Sequence, residues 1–279
     1  MTQSGNAWLI CREPVHIGGA DSDSRGNNNP IYRLPDRTPA IPGSSLRGAL
    51  REHALTDSNL TNWFGGDPDN ASPGQISLGW GWPVWWPVHV LGYGNWWVSC
   101  PSWLRQFAQL TTGQMLPNLP QVPALTDESL KNQTVFLRWV KLENVAYQDP
   151  NGLPLPQELQ SYRDRLLIVP DDAINVLVDM GLVRQPRVSL KTVDELEAER
   201  KENTEKEEER KETLVKNLFS VEGIPPGAAF FFAWSTRKDV QNVPQWKAFL
   251  HQEHHLGGLW SVGYGRVVIE DIYKTGGSK

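Results

Sequence analysis

Cysteine is nearly absent: of 279 residues only Cys11 and Cys100 carry a thiol. Two lone thiols build neither a disulfide framework nor a metal knuckle, and they suit a reducing compartment. Long apolar runs are missing too, since no stretch approaches the roughly 18 residues that a membrane helix needs. The first eight residues lack a basic segment followed by an apolar one, so no secretory leader is expected. The expected location is the cytoplasm, with no membrane partner. Nor is there the excess of positive charge that advertises a nucleic-acid binder. Lys and Arg number 27 against 32 Asp and Glu, a formal net charge of −5. That deficit is local. Residues 194–212 hold ten acidic and five basic side chains. The rest of the chain is electrically balanced and can still form a basic groove.

Tryptophan, by contrast, is abundant: the chain has 13, and seven of them fall between positions 80 and 103. They are expected to fill a core or a contact between neighbouring subunits, with base stacking as the other use of such rings. An apolar fraction of 39% and this length suit one domain with insertions, spanning residues 1–279. The pattern reads as a strand at 8–17 broken by Pro14, then a loop at 18–30 rich in Gly, Asn, Asp and Ser. Pro42-Gly43 makes a turn. A helix follows, capped by Ser44 or Ser45, with Leu46, Leu50 and Leu55 on its apolar face. Residues 62–74 read as a loop, 75–98 as short irregular strands, and 100–110 as a helix beginning near Pro101. Further strands are expected within 134–147 and at 166–169, 228–235 and 267–273, and helices at 170–178 and 246–253. Residues 188–216 include a charged run in which Glu197/Lys201, Glu202/Lys206 and Glu207/Lys211 are spaced for a solvated helix. This irregular alternation favours an α+β sheet with helices packed on one face.

Two segments could carry chemistry. In IPGSSLRGALR a helix N-terminus offers free N–H groups, Gly43 permits close approach, Ser44 and Ser45 add hydroxyls, and Arg47 and Arg51 lie one turn apart. This suits a sugar-phosphate backbone, although the pattern alone favours a capped amphipathic helix with two solvated arginines. In HHLGGLWSVGYGR, Gly257, Gly258, Gly263 and Gly265 would let a loop pass close to another backbone or a nucleotide. A strand follows this loop rather than preceding it, so it is not a dinucleotide-binding loop. His251, His254 and His255 are spaced to meet on one helix face, but no cysteine or acidic motif accompanies them. Surface or capping roles are expected, and no metal site. No nucleophile elbow marks a hydrolase.

Together, the early IPGSSLRGALR helix and the late LGGLWSVGYGR loop resemble the RAMP superfamily of CRISPR–Cas proteins. REPVHIGGA is similar to that family's first strand and turn. GQISLGWGWPVWWPVHVLGYGNWWVSCPSWLRQF, RVSLKT and LFSVEGIPPGAAFFFAW resemble, in order, segments of the backbone-subunit family of type III-B (Cmr) effectors. The likeness runs from about residue 15 to 269. It implies an RRM-like (ferredoxin-like) palm of four antiparallel strands and two helices, elaborated by a thumb-like insertion at about 186–221 that contains the charged 194–212 segment. It also implies a subunit that binds guide RNA (crRNA), stacks with neighbouring copies of itself, positions target RNA and works with other type III effector subunits. The implied RNA-binding residues are Gly43, Ser44, Ser45, Arg47, Arg51, Gly257, Gly258, Gly263 and Gly265, with Arg47 at the phosphate-contacting position. The family's loop aspartate, two residues before a proline, corresponds to Asn28 in GNNNPIYR. An amide is no general base and a poor ligand for a divalent ion, so target cleavage is not expected through it. Asp21 and Asp23 in the same loop are the alternative carboxylates for a metal-dependent endoribonuclease. Mg²⁺ or another divalent metal would be needed only for that activity, and no cofactor for binding. A guide-processing nuclease of the same superfamily would need a catalytic histidine in a suitable loop.

Overall fold

The computed structural model describes residues 2–18, 28–66, 69, 71–113, 116, 119–197, 214–237 and 243–272. In chain order its elements are β1 (Ser4–Cys11), β2 (Asn28–Asn29), α1 (Gly43–His53), α2 (Leu60–Phe64), β3 (Ile76–Leu78), β4 (Trp82–Val90), β5 (Gly94–Ser99) and α3 (Pro101–Thr111). There follow β6 (Ala124–Leu125), β7 (Val135–Leu137), β8 (Val140–Leu142), β9 (Ala146–Tyr147), β10 (Leu166–Ile168) and α4 (Ile174–Gly181). The last are β11 (Val183–Leu190), β12 (Val215–Gly223), β13 (Ala229–Thr236), α5 (Val243–Leu250), β14 (Glu253–His255) and β15 (Arg266–Asp271).

At the centre four strands lie in the order β15-β1-β13-β4, each pair antiparallel. The chain passes β1-α1-β4 and then β13-α5-β15, so each half contributes two strands and a crossover helix. That is the ferredoxin-like arrangement expected of an RRM-like palm. Beyond β4 the sheet extends through β5, β10, β6 and β9, while β14 borders β15 at the other edge. A separate three-stranded sheet, β11-β12-β2, stands apart from it.

The core has two sides. In β1, Ala7, Leu9 and Cys11 belong to one buried cluster, and Trp8 and Ile10 to the other. Adjacent residues of a strand point to opposite faces, so this run of five apolar residues is buried throughout because both faces are covered. Phe230, Phe231 and Phe232 in β13 repeat the pattern. Leu46 and Leu50 of α1 and Trp246, Phe249 and Leu250 of α5 pack on the first side, and Leu104 and Phe107 of α3 on the second. Trp63, Trp85, Trp86, Trp96, Trp234 and Trp246 are fully buried, so most of the tryptophan excess is core.

Several expected elements differ. Helix α2 takes in residues 62–64 of the loop expected at 62–74, and the helix expected at 246–253 begins at Val243 and ends at Leu250. Leu55 lies past the end of α1 and is 64% exposed, so it is not part of the helix's buried stripe. The expected insertion at 186–221 overlaps the long β11–β12 hairpin, which pairs Val183 with Gly223 at its base and Leu190 with Val215 at its far end. Residues 193–197 of the charged run are helical, and the rest of that run lies outside the described residues.

Candidate nucleic-acid interface

Helix α1 begins at Gly43 for a steric reason. A Cβ there would stand 2.9 Å from the Leu78 carbonyl oxygen and 3.1 Å from that of Gly79. Pro42 is the N-cap, and no side chain caps the helix, so the hydroxyls of Ser44 and Ser45 do not serve as the expected caps. The N–H groups of Ser45 and Leu46 both donate to the Pro42 carbonyl. Arg47 donates through one terminal nitrogen to the Ile76 carbonyl (3.1 Å) and through the other to that of Phe64 (2.6 Å). Arg51 donates to the carbonyls of Phe64 (3.2 Å) and Gly65 (2.9 Å). Both guanidinium groups therefore tie α1 to the end of α2, where helix carbonyls lack intrahelical partners. A guanidinium has five N–H donors, so two such bonds leave Arg47 further donor capacity.

The glycine-rich loop packs across the chain that leaves β1. Gly257 has φ +76°, and a Cβ there would be 2.1 Å from the His16 carbonyl oxygen. Gly258 N–H donates to that same oxygen (3.0 Å), and Gly265 N–H to the Pro14 carbonyl (2.8 Å). Gly258 and Gly263 face open space at the Cβ position. Gly257, Gly258 and Gly265 thus serve backbone contact within the molecule, while Gly258 and Gly263 leave the loop surface bare of side chains. Between them Trp260 is 72% exposed.

The same region holds the hairpin base and Asn28. Strand β2 runs parallel to β12, with Asn28 opposite Ser220 and Asn29 opposite Val221. His16 donates from Nδ1 to the Glu222 carbonyl (2.7 Å), and Tyr264 donates from its hydroxyl to Gln185 (3.1 Å). The backbone N–H of His255 donates to Nε2 of His53 (3.1 Å), which joins the end of α1 to the strand entering the glycine loop. The glycine loop, β2 and the hairpin base are therefore brought together. Ser44, Ser45 and Arg47 lie toward the far end of α1, which is about 16 Å long.

Acidic groups near β2 are already engaged. Glu222 faces Arg33 (3.7 Å) and Arg184 (3.3 Å), and Asp179 pairs with Arg33 (2.8 Å) and Arg37 (2.6 Å). Asp21 and Asp23 lie outside the described residues. Among the described residues, no group of three or more His, Cys, Asp or Glu is placed to hold a metal ion. The three late histidines do not share a helix face. His251 follows α5 and lies 3.5 Å from Asp271, while His254 and His255 are in β14. His254 is buried and donates from Nε2 to the Phe249 carbonyl (3.0 Å). Burial, with His53 close by, pushes its pKa down to about 4.

A cavity of about 510 Å³ opens at the start of α1. Ser44, Arg47, Ser77, Trp80, Ser235 and Arg237 line it. Neither Trp80 nor Arg237 is tied to this helix by its place in the sequence. The signal for Trp80 was its isolation between Gly79 and Gly81, outside the alternation of β4. A larger cavity of about 920 Å³ lies on the other side of the sheet, walled by Trp8, Phe107, Leu153 and Ile272. There Glu270 accepts the backbone N–H groups of Gln157 and Glu158.

A profile of the RAMP superfamily matches residues 8–268. The chain belongs to the RAMP superfamily. A search of the curated proteins found no match. Among solved structures, a chain of the type III-B Cmr-beta complex bound to cognate target RNA is similar to this RAMP protein with a TM-score of 0.73 and 16% identity. That match covers 96% of this chain and 97% of the other. A crystal structure of Cmr4 matches with a TM-score of 0.66 and 20% identity over 98% and 100% of the two chains. Oligomeric Cmr4 from Pyrococcus furiosus matches with a TM-score of 0.64 and 18% identity over 97% and 98%. At these identities the likeness establishes a shared fold, here from end to end. No described helix of this RAMP protein is long and apolar enough to cross a membrane.

Proposed function

We propose that this RAMP protein is a guide RNA-binding backbone subunit of a type III CRISPR–Cas effector, which assembles with further copies along crRNA and presents target RNA. The observation that carries this reading is the end-to-end match to Cmr proteins, one of them in a complex bound to cognate target RNA and another oligomeric. The chain's own residues fit the role. Ser44 and Arg47 border an open cavity, and Gly258 and Gly263 leave a loop surface without side chains for a strand to lie against. The β11–β12 hairpin corresponds to the thumb-like insertion. Guide–target pairing would supply the sequence specificity, and the protein would hold the backbone, a division of labour known from another RNA-guided effector.

Catalysis is not part of this reading, because the family's aspartate position is Asn28. The alternative is cleavage through Asp21 or Asp23 with Mg²⁺. One preparation tests both: the protein purified with its companion effector subunits, probed with its CRISPR transcript and then with matched target RNA and Mg²⁺. Retention of the transcript with uncut target is the expected result. Failure to retain any CRISPR transcript would overturn the reading. Regularly spaced target fragments, lost in Asp21→Ala or Asp23→Ala, would establish the nuclease alternative.

A further inference from the structure

We propose that Trp80 is a stacking platform for one base of the bound RNA strand, with Arg237 meeting an adjoining phosphate across the cavity at the start of α1. This rests on the functional reading above and adds to it the residue that touches a base.

Three observations converge. The first is size: about 510 Å³ lies within the range of roughly 300–1,000 Å³ typical of small-molecule sites, enough for a nucleotide unit. The second is charge. Two arginines and three serines line the cavity, and among the described residues no carboxylate does. In a chain whose formal net charge is −5, a wall of cations and hydroxyls without an acid selects an anionic, hydrogen-bonding ligand.

The third is the ring itself. Trp80 remains 38% exposed, although most tryptophans here are core. It is not loose. Trp82 stacks on it at 6.1 Å and 23° from parallel, and Tyr32 meets it at 5.6 Å and 63°. Its backbone is gripped on both sides. A Cβ on Gly79 would come within 3.2 Å of the Ala233 carbonyl oxygen, and one on Gly81 within 2.9 Å of the Ile41 side chain. An indole fixed in advance loses little freedom on stacking a base, and such stacking is indifferent to sequence because every base has a π-face. Polar walls beside the ring fit a single-stranded nucleotide better than an apolar protein segment.

The test uses two RNAs with identical phosphates, one with natural bases and one with abasic sites, and measures binding to the intact protein. Trp80→Leu should weaken binding of the natural strand by roughly 5- to 150-fold, the span expected for one stacked base. It should leave the abasic strand nearly unchanged, and Trp80→Phe should restore most of the loss. Arg237→Gln should weaken both strands and flatten the salt dependence. Equal losses on both strands, or no loss with Trp80→Leu, overturn the platform while leaving guide binding intact. Unchanged RNA affinity with a smaller assembly would make Trp80 a contact between copies, which also overturns it. If the wild-type protein binds neither strand, the functional reading itself falls.

Discussion

The guanidinium of Arg47 holds carbonyls from two other segments, so its loss will be felt before any RNA is present. Arg47→Ala removes the guanidinium bond to the Ile76 carbonyl and leaves that of Phe64 with Arg51 alone. Urea denaturation of the RNA-free protein should show a loss of about 1.5–3 kcal/mol. Arg47→Lys should recover little of it, because an ammonium cannot span both acceptors. An unchanged midpoint would show that these bonds are dispensable. Those partners lie 29 and 17 positions away along the chain, which is why the sequence offered a phosphate for Arg47 and not a carbonyl. His254 has a different consequence. Its pKa falls from the ordinary 6.5 to about 4 on folding, so the unfolded chain takes up that proton first. Stability from this group is complete above about pH 6.5 and is lost as pH falls toward 4, by at most about 3 kcal/mol. Denaturation midpoints measured from neutral to mildly acid pH should fall more steeply in the wild type than in His254→Gln. Parallel curves would rule His254 out.

At the scale of elements, the glycine loop separates steric need from open surface. Gly257→Ala combines a left-handed φ with a Cβ 2.1 Å from the His16 oxygen. It should cost roughly 1–3 kcal/mol and lower the melting temperature. Gly258→Ala, with open space around it, should stay within about 0.5 kcal/mol. Equal melting shifts would contradict this difference. Helix α3 was legible because Pro101 opens it and Trp103, Leu104, Phe107 and Ala108 repeat at helical spacing. Strand β13 was legible as an apolar run without breakers. The β11–β12 hairpin was not, because its two strands are separated by a charged stretch that reads as helix and hides the pairing of Val183 with Gly223. Strand β14 was missed for a related reason: three histidines at helical spacing continue the pattern of α5, but the helix ends at Leu250. Helix α2 has only five residues, too few to register a period.

Over the whole molecule, charge and topology set the remaining expectations. A net −5 concentrated in residues 194–212 should repel RNA at long range. Replacing Glu205, Glu207, Glu208 and Glu209 with Gln should raise crRNA affinity several-fold at low salt, an advantage that shrinks at high salt as screening takes over. Identical affinities at both salt levels would mean the run lies too far from the RNA to matter. Topology has a mechanical corollary. The parallel pairing of β2 with β12 welds position 28 to the root of the β11–β12 hairpin, and the His16–Glu222 bond adds a second rivet. Force on the hairpin is therefore levered back onto the exit from β1, so a neighbour that tilts it also moves the backbone of Asn28 and Asn29.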